Sequence, residues 1–147
     1  MSKTNTKLKV LFLCTGNSCR SQMAEGWTRR LKGERIDAFS AGVAPHGLDP
    51  RAVRAMEEAG VDISGQESQH VDDLMDVDFD YVVTVCDYAR ESCPVFPGHA
   101  QVVHARFDDP PALAKDTEAE EEALGPYRRV RDEIREFVES LPEALTG

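Results

Sequence analysis

The chain has 147 residues with 17 basic and 27 acidic side chains, a formal charge of −10. A length near ~150 residues hides about 68–70% of the unfolded surface, so residues 1–147 are expected to form one domain without disulfide staples. The acidic balance excludes nucleic acid as the main partner, because that binding needs clustered Lys and Arg.

Residues 1–6 are polar and read as frayed. Leu8 to Cys14 is then apolar except for Lys9, as a parallel strand covered on both faces requires. No run approaches the ~20 apolar residues of a membrane span, and no signal-peptide pattern opens the chain. The expectation is a cytoplasmic protein with no membrane partner. Thr15-Gly16-Asn17-Ser18 ends the strand abruptly, after which Met23, Trp27 and Leu31 fall four apart on a helix stopping near Gly33.

Ile36 to Ala41 reads as a second strand. Asp49-Pro50 supplies an N-cap and a first-turn proline for a helix whose Val53, Met56 and Ala59 share a face up to Gly60. Val71 to Met75 fits a short helical turn, Phe79 to Val85 a second buried strand, and Gln101 to Ala105 a shorter one. Lys115 to Leu124, with Glu118, Glu120, Glu121 and Glu122, reads as a solvated loop or helix surface without a function. Val130, Ile134, Phe137, Val138 and Leu141 form the apolar stripe of a C-terminal helix. Alternating strands and helices imply a three-layer α/β/α sandwich around a parallel sheet, with ligands at the carboxyl ends of the strands.

Cys14 and Cys86 each follow a strand, so adjacency of those strands would bring both thiols to one sheet edge. Cys14, Cys19, Cys86 and Cys93 in a chain of this kind point to reduced, catalytic or metal-binding thiols. The six residues between Cys86 and Cys93 do not match a zinc knuckle, and His46, His70, His99 and His104 show no paired ligand spacing.

Cys14-Thr-Gly-Asn-Ser-Cys-Arg20 places a cysteine and an arginine around small, turn-tolerant residues just ahead of a helix. Main-chain N–H groups and the positive helix end can surround a tetrahedral anion there, with Gly16 and Asn17 tolerating positive φ. Arg20 supplies a fork for two oxygens, and Cys14 a nucleophile whose thiolate such surroundings favour over a free thiol of pKa about 8.5. Ser21 is placed to add a hydroxyl hydrogen bond to that sulfur, whereas Cys19 reads as packing. An inert, strand-buried Cys14 is the plainer alternative, but strand, loop and helix all agree around one Cys-x5-Arg.

Phosphate-ester hydrolysis needs one thiol, so Cys86 and Cys93 ask for another explanation. A two-electron reduction of a bound oxyanion makes one disulfide, which thiols able to attack a Cys14 adduct would provide. Residues seven apart in a helix lie about 10.5 Å apart along its axis, while a disulfide tolerates Cα separations only up to ~6.8 Å. Residues 87–92 must therefore loop or unwind if Cys86 and Cys93 are to join.

The segment from Cys14 to Trp27 resembles the opening of the thioredoxin-coupled arsenate reductases, which are built on the low-molecular-weight tyrosine phosphatase fold. Ser40-Ala-Gly42, Val82-Val-Thr-Val-Cys86, Cys93-Pro94, Phe107-Asp-Asp-Pro110 and Arg129-Val-Arg-Asp-Glu-Ile134 extend the resemblance over nearly the whole chain. It implies a four-stranded parallel sheet and arsenic detoxification by reduction of arsenate to arsenite. Cys14 would attack arsenate, Cys86 would attack the Cys14–arsenic adduct, and Cys93 would then take over Cys86, leaving a disulfide for thioredoxin. Arg20 and the loop Thr15, Gly16, Asn17, Ser18, Cys19 and Ser21 would hold arsenate, or phosphate or sulfate as analogues, and Asp109 would be the general acid.

The same resemblance implies no tightly bound cofactor beyond a potassium site matched by Asn17, Glu25 and Ser40, with Gln69 standing where an acidic ligand is expected. A monomer is expected. The competing readings are a low-molecular-weight tyrosine phosphatase and a non-enzymatic redox sensor. Gln22 in place of proline and Pro111 in place of an aromatic weigh against the phosphatase, and a sensor leaves Arg20 and Asp109 without a task.

Overall fold

The computed structural model describes residues 7–96 and 98–146, so the expected fraying of residues 1–6 lies outside the described residues. Four strands, β1 (Leu8–Cys14), β2 (Ile36–Gly42), β3 (Tyr81–Thr84) and β4 (Gln101–His104), make one sheet in the order β2-β1-β3-β4. All pairings are parallel. β1 lies between β2 and β3, and Val10 to Leu13 are wholly buried, as an apolar run of this kind demands.

Six helices complete the described fold: α1 (Arg20–Lys32), α2 (Pro50–Glu58), α3 (Asp87–Glu91), α4 (Pro110–Leu113), α5 (Glu120–Glu139) and α6 (Glu143–Thr146). Helix α1 packs on β1 and β2 and against α5, which also meets α2 and α4. Successive strand side chains face opposite ways, so Ser40, bonded to Glu25 of α1, marks one face of the sheet and Phe39 the other. On that second face Phe39 meets Phe79 edge-to-face at 5.2 Å, and Phe79 meets Phe96 at 6.0 Å. A 3₁₀ turn at Val71–Leu74 packs there on β2, giving three layers.

Several expectations are corrected. β3 covers only Tyr81–Thr84, because Phe79 turns into the aromatic cluster, although the Val85 N–H still reaches Leu13 O. The acidic stretch is in part the solvated helix surface expected of it, because helix α5 begins at Glu120 with Glu120, Glu121 and Glu122 exposed. Glu120, Glu121 and Glu122 occupy its first turn, where the helix dipole favours them, while Ala123, Leu124 and Tyr127 are buried. Leu31 is 36% exposed, so the α1 stripe buries Met23 and Trp27 but turns outward in the last turn. In α2 the buried face is Ala52, Ala55 and Met56, with Asp49 capping the Arg51 N–H as expected.

Candidate active site

Cys14 ends β1 and is buried, and residues 15–19 lead from it into α1. Asn17 takes a left-handed φ of 48°, its carboxamide spanning from the Ser21 Oγ, which accepts at 2.9 Å, to the Gln69 N–H, which donates to Oδ1 at 2.8 Å. The Ser21 hydroxyl is thus engaged with Asn17, and it is the Ser21 main-chain N–H that lies on the Cys14 sulfur.

Main-chain bonds fix the loop from outside. Val43, Ala44, His46 and Asp49 donate to the carbonyls of Cys14, Thr15, Gly16 and Ser18 at 2.9–3.2 Å. These carbonyls are turned away from the cavity, which leaves loop N–H groups free to face an anion. Gly42 lies so close beneath that a Cβ there would meet Thr15 O at 2.6 Å and Asn17 N at 2.9 Å. From the other side Gln22 Nε2 donates to Asn17 O and Glu67 O, and Gln66 donates to the Gln22 carboxamide.

The groups matched to a potassium site are engaged by protein donors. Asn17 Oδ1 accepts from Gln69 N–H, Ser40 O accepts from Gln69 Nε2, and Glu25 holds the Ser40 hydroxyl at 2.6 Å and Arg29 at 2.6 Å. Burial raises the Glu25 pKa, opposed by Ser40 and Arg29. With a guanidinium already on the one carboxylate and amide donors on the remaining oxygens, this donor set does not fit a potassium ion.

The structure brings Cys14 and Cys86 together, because β1 and β3 are neighbours in register from Val10–Tyr81 to Leu13–Thr84. Cys86 caps α3, accepting from the Ala89 N–H at 3.4 Å, and its Sγ lies 3.2 Å from Thr15 Oγ1. The two thiols share a hydrogen bond that favours one ionisation: the Cys86 pKa falls to about 5 through its bonds to Cys14, Thr15 and Ala89. The Cys14 thiol is pushed well up by that same bond and by burial, against Arg20 and the Ser21 N–H. Both shifts run in the direction that places the pair's negative charge on Cys86.

Cys93 stands apart, half-buried with Sγ on Pro94 O at 3.5 Å and no bond to Cys86 among the described residues. Residues 87–91 between them are helical. Cys19 is buried and its pKa is raised by burial, which makes it an inert packing thiol.

Arg20 opens α1 and reaches over the cavity, donating from Nη1 to Phe107 O at 3.0 Å and pairing from Nη2 with Asp109 at 3.5 Å. Its Nε is buried with no partner among the described residues, an arrangement that a bound anion would complete. The cavity holds about 230 Å³ and is lined by Cys14, the loop, Arg20, Asp109, Pro111 and His46. A larger cavity of about 430 Å³ beside Glu25, Arg29 and Gln66 contains no thiol or hydroxyl nucleophile, so the chemistry belongs to the smaller one. His46 is the lining residue that sequence reasoning missed. Its only local signal is the Pro45-His46-Gly47 turn, and its position comes from the main-chain clamp onto Gly16.

A cysteine at a strand end, an anion-shaped loop, a helix-borne arginine and an acid turn define a phosphatase-type oxyanion enzyme. Residues 9–147 match the low molecular weight phosphotyrosine protein phosphatase family. The chain belongs to that family and, within it, to the arsenate reductases. It is 49% identical to an arsenate reductase of Bacillus subtilis, over 89% of this chain and 95% of that one. A solved arsenate reductase from Archaeoglobus fulgidus is 34% identical with a TM-score of 0.68, covering 90% of this chain and 97% of that one. Another, solved in an oxidised state, is 31% identical with a TM-score of 0.71, covering 93% and 98%.

Proposed function

We propose that this chain reduces arsenate to arsenite through Cys14, Cys86 and Cys93, and that thioredoxin reduces the resulting disulfide. The observation that carries the reading is Cys86, hydrogen-bonded to Cys14 at the floor of the anion cavity and strongly acidified. Ester hydrolysis would use Cys14, Arg20 and Asp109 and give Cys86 and Cys93 no task. The names of full-length relatives support the substrate.

In the first step arsenate enters between Arg20 and the loop N–H groups, and the Cys14 sulfur bonds to arsenic as one oxygen leaves. Asp109, beside Arg20 at the cavity mouth, protonates that oxygen, which departs as water. Bound arsenate takes the Cys14 proton on an oxygen, so Cys86 stays ionised for the next step.

Cys86 then attacks the Cys14 sulfur, the sulfur–arsenic electron pair passes to arsenic, and arsenite leaves two electrons richer with a Cys14–Cys86 disulfide behind. Residues 87–92 unwind, Cys93 attacks Cys86, and Cys14 is released as a thiolate. A dithiol protein restores Cys86 and Cys93. None of these steps routes through a metal, and among the described residues no helix is long and apolar enough to cross a membrane.

The test is steady-state arsenite production with thioredoxin, its reductase and NADPH. Cys14→Ser, Cys86→Ser and Cys93→Ser should each abolish turnover. A fully active Cys93→Ser protein would refute the relay, and a wild-type protein that makes no arsenite would refute the reductase reading.

A further inference from the structure

His46 lies on the rim of the anion cavity, on the segment between β2 and α2. Its main-chain N–H donates to Gly16 O at 3.1 Å, between the neighbouring bonds Ala44 N–H to Thr15 O and Asp49 N–H to Ser18 O at 2.9 Å each. Gly47, at φ 96°, turns the chain directly after it, and its N–H bonds Ser68 Oγ, which in turn donates to Gly16 O. The backbone carrying the imidazole is therefore as fixed as the loop that would hold the anion.

The ring itself sits against that loop. A Cβ on Gly16 would lie 2.2 Å from His46 Nε2 and 2.4 Å from Cε1, so the glycine is the space the imidazole edge occupies. The ring, on an exposed residue at the rim, has no hydrogen-bond partner among the described residues. Arg20 Nε, buried in the same cavity, is also unpartnered. His46 and the Arg20 guanidinium thus line one cavity, each with a ring or guanidinium nitrogen that no protein group takes among the described residues.

We propose that His46 is a substrate-contacting residue that reads the outer oxygen of a free tetrahedral oxyanion, deepening the reductase reading on which it rests. With Cys14 beneath and the loop N–H groups around it, a bound anion turns its remaining oxygen toward the mouth, where His46, Asp109 and Pro111 stand. In arsenate, phosphate or sulfate that oxygen is a hydroxyl or oxide, which an imidazole N–H can bond. In an organic ester the same oxygen is capped by carbon, which makes it a poor acceptor for His46 and places an organic group that must pass between its ring and Pro111. His46 thus favours inorganic oxyanions over phosphate esters at a site whose nucleophile could attack either.

The test compares wild type, His46→Ala and His46→Gln in three measurements: arsenate KM and kcat, phosphate affinity by calorimetry, and hydrolysis of p-nitrophenyl phosphate. The expected result for His46→Ala is a KM for arsenate and a Kd for phosphate each raised about tenfold, worth ~1.4 kcal/mol. Its kcat should change far less, and ester hydrolysis should rise relative to arsenate reduction. His46→Gln, which keeps a donor, should recover part of the phosphate affinity, whereas a merely structural role would show in melting temperature and leave affinity intact. Unchanged phosphate Kd in a His46→Ala protein of native melting temperature would overturn the proposal. Phosphate affinity also separates the two ideas: a wild-type protein that binds phosphate through His46 yet makes no arsenite would sink the reductase reading and keep this one.

Discussion

Gly42→Ala is the substitution that most directly connects the fold to the chemistry. Gly42 pairs with Cys14 in the β1–β2 ladder, and an added Cβ would meet Thr15 O at 2.6 Å, Asn17 N at 2.9 Å and Asn17 Cβ at 3.1 Å. Ordinary contact begins near 3.4 Å, so Thr15 O must retreat by 3.4 − 2.6 = 0.8 Å. The two nearest atoms are backbone, and no side-chain rotation relieves them. Overpacking of this kind costs about 1–3 kcal/mol, more than the ~0.4–1 kcal/mol that Ala gains by restricting the unfolded chain.

For a chain of this length that loss corresponds to a melting temperature lower by about 3–9 °C. The displaced atoms belong to the oxyanion loop, and a misplacement approaching ~1 Å costs up to ~10²-fold in rate. The expected outcome is a fall of about 10- to 100-fold in kcat/KM for arsenate, with weaker phosphate binding. Gly65→Ala, with nothing within 4 Å of its Cβ, is the matched control and should be silent. A Gly42→Ala protein with wild-type melting and phosphate affinity would show that the loop is not braced from beneath.

Four further outcomes follow from the site. Alkylation of the wild-type thiols should report one thiolate with a midpoint near pH 5, rising as pH rises, and it should map to Cys86. In Cys86→Ala the foremost cause of the high Cys14 pKa is gone, so the Cys14 midpoint should move down; a midpoint that stays put or rises would contradict the shared proton. Cys19→Ser should keep turnover within about tenfold of wild type, ~1.4 kcal/mol in barrier, while losing about 1–3 kcal/mol of stability because a hydroxyl replaces a fully packed thiol. Complete loss of activity at unchanged stability would give Cys19 a chemical role. Exchanging sodium for potassium at constant ionic strength should leave melting unmoved, since a site filled at ~100 Kd would add about 2.7 kcal/mol.

The strands and the loop were legible because their signals are local. An apolar run broken by Thr15-Gly16-Asn17 and followed by a helical stripe can hardly be read otherwise, and Asn17 does take the positive φ its type tolerates. Adjacency of β1 and β3, which puts Cys86 against Cys14, could be stated only as a condition, since pairing order is a tertiary matter. The apolar stripe from Val130 to Leu141 marked helix α5 but not its start, which lies at Glu120 because buried Leu124 and Tyr127 on either side of Gly125-Pro126 hold one continuous helix. His46 escaped notice because its place depends on four main-chain bonds between segments some thirty residues apart. The coupling of Cys14 and Cys86 was likewise out of reach, since it depends on the hydrogen bond between the two thiols, on burial and on the Ala89 N–H that Cys86 receives.

The relay is tested most directly by mass mapping of the cysteines after one equivalent of arsenate without external reductant. The expected product is one equivalent of arsenite, a Cys86–Cys93 disulfide, and free thiols at Cys14 and Cys19, with Cys93→Ser stopping at a Cys14–Cys86 bridge. Four titratable thiols and no trivalent arsenic, or a bridge that includes Cys19, would contradict it.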